Sequence, residues 1–175
     1  MTRELLLLAL GFVFIVGEAA IGTVTRLGVL MPNLVLPMVL YVGMAPDVPL
    51  ARGALLAFGL GLLVDSATGN AMGLMTFVHV ATLIAARAGS LRLLMRGRVS
   101  QVLITALVAG LGAVLIVALR GIFRPDEQFR AASTSHLLVA IIAPSLATGA
   151  VAPFVFQLVR RVDTRSRRDE SASFT

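Results

Sequence analysis

Six apolar runs separated by short polar stretches dominate the sequence. They predict helices over Leu5–Thr25, Val29–Ala45, Leu50–Asp65, Ala71–Ala88, Gln101–Leu119 and His136–Val159. Most of these runs approach the roughly 20 residues that an α-helix needs to cross a bilayer. The pattern therefore predicts an all-α membrane protein, with a bundle of six transmembrane helices over residues 1–160 and a disordered polar tail over residues 161–175.

Proline and polar residues mark where these helices bend and end. Pro37 lies inside the second run and predicts a kink, while the stretch Pro46–Pro49 predicts a reversal of direction. The second and third runs are the shortest of the six, and the third stops at Asp65. Both of these helices are therefore predicted to be short. The first run is not followed by a good small-residue cleavage site, and we expect a retained helix rather than a signal peptide.

Composition supports the membrane assignment and narrows the chemistry. Hydrophobic residues make up 58% of the chain, and the net charge of +6 rests on 15 arginines without any lysine or cysteine. The absence of lysine excludes a lysine-dependent phosphate-binding loop and a Schiff-base enzyme. The absence of cysteine excludes disulfides and thiolate metal sites. We expect no cofactor and no enzymatic activity.

The arginines predict the orientation. With six crossings, eleven arginines fall on the side of the termini and four on the other side. The positive-inside rule then places both termini in the cytoplasm. It places Asp65 at the outer face, and topology accounts for the basic residues without nucleic-acid binding.

Three ionisable residues, Glu18, Asp65 and His79, are predicted at similar depth in the outer half of the bundle. Such residues attract functional interest because burying a charge at the membrane centre costs roughly 2.5–3.5 kcal/mol on insertion scales. One interpretation is a polar cavity for a ligand or a lipid. The other is structural, with Asp65 capping the fourth helix and the remaining two forming hydrogen bonds between helices. A metal site is a weak alternative.

Small residues recur at intervals of four around Asp65, at Gly53, Ala57, Gly61, Gly69 and Gly73. On a helix this spacing forms one small face that allows another helix to approach closely. That face serves either packing within the chain or contact with a partner.

Two connections carry candidate contacts. Arg92, Arg96 and Arg98 lie between the fourth and fifth helices and are predicted to contact anionic lipids of the inner leaflet. Phe123, Arg124 and Phe129 lie in the longest outer connection. They form either a docking segment or an interfacial segment resting in the headgroups.

The stretch Pro32–Arg87 resembles the rod shape-determining protein MreD family. The resemblance rests on Pro32-Asn33, on Gly-Leu-Leu-Val-Asp over residues 61–65 and on Gly-Asn-Ala-Met-Gly-Leu over residues 69–74. It implies a non-enzymatic component of the peptidoglycan-synthesising elongation machinery that scaffolds MreC. Through MreC it would act with MreB, RodA and a class B penicillin-binding transpeptidase. It also implies a fold similar to that of the substrate-binding subunits of energy-coupling-factor transporters. The alternative function is that of a solute-binding transporter subunit with an outward-facing pocket.

Overall fold

A computed structural model describes residues 2–25, 30–68, 72–89, 97–123 and 134–172, with only the backbone described for 2, 25, 123, 134 and 165–172. Six helices make up this part of the chain, and it contains no β-strand. They are α1 (Thr2–Thr25), α2 (Val35–Met44), α3 (Leu50–Thr68), α4 (Leu74–Ala88), α5 (Arg98–Phe123) and α6 (Thr134–Ala172). The prediction of an all-α chain with six helices is confirmed.

Four of the helices, α1, α3, α5 and α6, are long and apolar enough to cross a membrane. The short ones are α2, with 10 residues, and α4, with 15. At about 1.5 Å per residue they measure about 15 and 22 Å, less than the roughly 30 Å of a hydrocarbon core.

The prediction that the third helix is short was wrong. It continues past Asp65 to Thr68 and has 19 residues. The hydroxyl groups of Ser66 and Thr68 each donate to the carbonyl four residues earlier, at 2.8 Å. These polar residues therefore continue the helix instead of ending it, and the fourth helix starts later, at Leu74 instead of Ala71.

The predicted kink at Pro37 was also wrong, because α2 starts at Val35 instead of Val29. Pro37 is then the third residue of the helix. In the first turn a proline interrupts no helical hydrogen bond, since the first N–H groups have no partner within the helix. Residues 31–33 before it are not helical.

The last helix differs from the prediction at its end. Instead of stopping at Val159 before a disordered tail, α6 continues through Ala172. Asp163 lies in this extension and is only 3% exposed. It pairs with Arg3 of α1 at 2.5 Å, so the extension is held against the first helix by a buried ion pair.

The shortest helix, α2, lies at the centre of the bundle. It contacts all five other helices, and nine of its ten residues are buried. Its side chains form the middle of the core with residues of α1, α3, α4 and α6, for example Leu60, Leu83 and Val155. The most extensive helix pairs are α3 with α4 and α5 with α6.

Successive helices run in opposite directions between two polar ends. The first turns of α2 and α4 meet Glu18 of α1 and Asp65 of α3 at one end, which we call the capping end. Arg3 meets Asp47 and Asp163 at the other, which we call the ion-pair end. On α1 the residues at the two ends, Arg3 and Glu18, lie 15 positions apart. On α6 the distance from Thr148, which bonds to the start of α2, to Asp163 is also 15 positions, about 22 Å of helix.

Candidate functional site

Glu18 satisfies the first turn of α2. Its Oε1 accepts a hydrogen bond from the backbone N–H of Leu34, and the Val35 backbone also bonds to this carboxylate. Asn33 Oδ1 accepts the next N–H, that of Leu36, at 2.9 Å. Because Pro37 has no N–H, every donor from Leu34 to Pro37 is accounted for. A membrane offers no water to these groups, so a side chain from a neighbouring helix has to supply the bonds.

The other end of α2 is satisfied by Arg87 of α4. Its guanidinium donates to the carbonyl of Ala45 at 3.1 Å and also to the carbonyl of Val48. A carboxylate at the N-terminus and an arginine at the C-terminus both complement the helix dipole. The sequence analysis used Arg87 only to predict orientation. The sequence feature that could have indicated the role of Arg87 is the link between Pro46 and Pro49, because the backbone carbonyls of such a link cannot all find helical N–H donors.

Asp65 caps the first turn of α4, as Glu18 caps the first turn of α2. Its carboxylate accepts the backbone N–H groups of Gly73, Met75 and Thr76 at 2.9–3.1 Å and the Thr76 hydroxyl at 2.9 Å. Gly73 is the N-cap residue of α4, with φ of +96°, and it carries no side chain that could cap the helix. Asp65 is only 1% exposed, and a carboxylate is tolerated there because four donors surround it.

His79 lies in the next turn of α4 and is fully buried. Its Nδ1 is 2.6 Å from the carbonyl of Met75, whose N–H donates to Asp65. Since a carbonyl only accepts, Nδ1 carries the proton of this contact. Within the described part of the chain, Nε2 has no hydrogen-bond partner.

The structure therefore brings Asp65 and His79 together, joined through Met75. Glu18 bonds instead at the start of α2, and none of the three lines the cavity at this end of the bundle. As a ligand site the three residues stay a prediction. As hydrogen-bonding groups, both carboxylates are engaged by the ends of short helices.

A cavity of about 320 Å³ opens at the capping end between the α5–α6 pair and the starts of α2 and α4. Its walls are mainly apolar, with Leu36, Val78 and Ile116 among them. Asn33, Ser145, Thr148 and Arg120 supply the polar groups of its lining. Of these, Thr148 accepts a hydrogen bond from the Asn33 N–H at 2.9 Å, which ties α6 to the start of α2.

The small face of α3 is buried within the chain. A Cβ at Gly61 would overlap the backbone of Thr76, and one at Gly53 would lie 3.2 Å from the Leu83 side chain. Ala57 is fully buried between them. These three residues thus allow the close approach of α3 and α4, which favours the packing interpretation of the face over a partner contact. Gly69 lies outside the described residues.

Ion pairs join the helices at the opposite end. Arg3 pairs with Asp47 of the α2–α3 link at 2.7 Å as well as with Asp163, and Arg52 of α3 pairs with Glu4 at 3.3 Å. The sequence analysis missed these pairs, because residues 44 to 160 positions apart in sequence give no local signal.

The remaining candidate residues lie in the connections. Arg98 is the first residue of α5 and is exposed. Phe123 is the last residue of α5, with only its backbone described. Arg92, Arg96, Arg124 and Phe129 lie outside the described residues. The lipid and docking roles of these residues stay predictions.

Comparison with known proteins identifies the family. Residues 2–162 match the family model described as rod shape-determining protein MreD. Comparison with curated proteins and with solved structures gave no match. The match extends from the first residue of α1 to the residue before Asp163 of α6, and so includes residues of all six helices. The chain therefore belongs to the MreD family of bacterial membrane proteins, which take part in determining rod shape.

Proposed function

We propose that this protein is a non-enzymatic scaffold of the peptidoglycan-synthesising elongation machinery, binding MreC and through it MreB, RodA and a class B penicillin-binding transpeptidase. The observation that carries the proposal is the family match over residues 2–162. It is nearly the whole chain, so the shared feature is the complete bundle and not one helix.

The use of the polar side chains supports a scaffold. Glu18, Asp65 and Arg87 are engaged by backbone groups of neighbouring helices. Their bonds fix the ends of α2 and α4, and a rigid bundle of this kind suits a protein whose role is to hold others in place. The membrane-facing sides of α1 and α5 are apolar and exposed, for example at Val13 and Leu107, and offer surfaces for a partner's transmembrane helix.

We further propose a multi-pass arrangement in the inner membrane, with the ion-pair end in the cytoplasm and the capping end facing outward. The distribution of the arginines supports this orientation. The short α2 and α4 would complete their crossings with the non-helical residues at their ends, because neighbouring side chains satisfy the backbone there.

The geometry gives less support to the solute-binding alternative. Glu18, Asp65 and His79 were expected to line an outward pocket, and the described cavity is lined by other residues. The scaffold is therefore the function that the geometry supports better.

Co-purification with MreC tests the scaffold. The chain has no cysteine, so single cysteines at Val13 and at Leu107 can each carry a photo-crosslinker on a different exposed face. We expect MreC to co-purify with the tagged protein from native membranes and to crosslink from one of the two faces. A tagged, unrelated multi-pass protein serves as control. Failure to recover MreC from membranes that contain both proteins would contradict the scaffold.

A further inference from the structure

The shape of the cavity at the capping end fits a hydrocarbon chain and does not fit a transmembrane helix or a polar solute. Its lining extends along α5 from Ala109 to Arg120, about 16 Å of helix, which is about half the thickness of a hydrocarbon core. Its volume of about 320 Å³ falls at the lower end of the range for small-ligand pockets. A transmembrane helix is about 10 Å across and needs more room.

Small residues create this space. Ala109, Gly112 and Ala113 of α5 line it where larger side chains would fill the gap towards α2 and α4. A Cβ at Gly112 would already lie 3.2 Å from Val78 of α4. The deep part of the cavity is therefore narrow and mainly apolar, and the hydroxyls of Ser145 and Thr148 in its wall donate to the carbonyls of Ile141 and Pro144 within α6.

The mouth has the opposite character. Arg120, near the end of α5, is the only charged residue among the described residues that line the cavity. Pro144 of α6 also lines it and lacks the N–H that would otherwise bond to the carbonyl of Ala140, another lining residue. The mouth thus combines a cation with a carbonyl acceptor, at the end of the bundle where the membrane interface lies.

We propose that this cavity binds one phospholipid with an anionic headgroup, placing an acyl chain along Ala109–Ile116 and the phosphate beside Arg120. A polar solute does not fit the apolar walls, whereas an amphiphile matches both parts of the site. The proposal does not rest on the scaffold function, because the residues that would hold the lipid, Ala113, Ile116 and Arg120, form no helix cap, although Asn33 and Met75 of the caps also line the cavity.

The test uses the full-length protein reconstituted in vesicles of equal parts phosphatidylglycerol and phosphatidylcholine, extracted gently and weighed by native mass spectrometry. We expect one retained phosphatidylglycerol, in preference to phosphatidylcholine. Arg120→Gln should lower the retention of phosphatidylglycerol about fivefold, the equivalent of about 1 kcal/mol for one arginine near an anionic headgroup. Arg160→Gln, an exposed arginine of α6 near the ion-pair end, is the matched control and should leave retention unchanged.

Filling the cavity is the second arm. Ala113→Phe should abolish the retained lipid, while Ala118→Phe, on the exposed side of the same helix, should not. A photoactivatable phosphatidylglycerol should label peptides of α5 and α6 in the natural sequence, which keeps the test valid if Ala113→Phe does not fold. Three results would each overturn the proposal. They are equal retention of diacylglycerol when it is added to the vesicles, displacement of the retained lipid by inorganic phosphate, and photolabelling confined to α1 and α3.

Discussion

Two carboxylates of this protein act as helix caps. Asp65 is buried and Glu18 is half-buried, and each accepts backbone N–H groups from the first turn of a short helix. Hydrogen bonds to charged groups contribute about 1.5–3 kcal/mol each, which offsets much of the desolvation of the carboxylate. Both carboxyl groups therefore stabilise the bundle, because their oxygens accept hydrogen bonds from N–H groups that would otherwise lack partners at the helix starts.

Replacing Asp65 with asparagine tests this interpretation. An amide offers one acceptor oxygen and presents its NH₂ group to the N–H donors around it, so we expect Asp65→Asn to destabilise the fold by about 1–3 kcal/mol. The measurement is thermal unfolding in detergent. Ser66→Ala is the matched control, since Ser66 is exposed and bonds only within its own helix. Equal melting temperatures for Asp65→Asn and the natural sequence would contradict the capping role.

Gly61 provides a second test at this scale, of helix approach. A Cβ there would lie 2.9 Å from the backbone nitrogen of Thr76, and backbone atoms cannot move aside as a side chain can. We expect Gly61→Ala to cost about 1–3 kcal/mol by overpacking. Gly59→Ala is the control, because its Cβ would have only the Leu8 side chain within 4 Å, at 3.7 Å. The higher helix propensity of alanine should make this substitution neutral or stabilising. A Gly61→Ala variant as stable as Gly59→Ala would show that α3 and α4 are farther apart than described.

At the scale of the helices, α2 organises the bundle although it is the shortest. It is central, and both of its ends are closed by charged side chains of other helices, Glu18 at the start and Arg87 at the end. An isolated helix of this length is unstable in water, since a helix needs about 12–15 residues to persist alone. Its stability therefore comes from its neighbours, and the caps are the part of that support that single substitutions can remove.

We predict that Arg87→Ala destabilises the protein more than Arg87→Lys, and that both exceed Arg52→Ala. The guanidinium reaches two carbonyls at once, which an ammonium group does not reproduce with the same geometry. Arg52 has a side chain that is 65% exposed in its pair with Glu4, and such surface pairs contribute about 0–1 kcal/mol. Thermal unfolding of the three variants measures the order. A larger effect for Arg52→Ala would contradict the cap.

Hydropathy was enough to predict six helices, and the prolines predicted the link at Pro46–Pro49. It could not predict the limits of α2 or α3. These depend on whether Pro37 falls in a first turn and whether Asp65 finds donors from the next helix. The partners of Glu18, Arg87 and Arg3 depend on helix register across the bundle, for which a single sequence holds no local signal.

At the scale of the whole molecule, the proposed orientation places the ion-pair end in the cytoplasm and the capping end outside. The absence of cysteine in the natural sequence allows a direct measurement with single cysteines. Thr23 and Thr164 are both exposed threonines, one near the capping end and the other near the ion-pair end. We predict that an impermeant maleimide labels Thr23→Cys in intact spheroplasts and Thr164→Cys only after lysis. The reverse pattern would overturn the proposed orientation.

Membership of the MreD family ties this bundle to rod shape, and cell shape is therefore the most direct readout. We predict that graded depletion in the bacterium that encodes this chain widens the rods and finally turns them into spheres, and that re-expression of the natural sequence restores rods. Microscopy of cell width against protein level, followed by immunoblotting, is the measurement. Rods of unchanged width after the protein has become undetectable would contradict a role in shape determination.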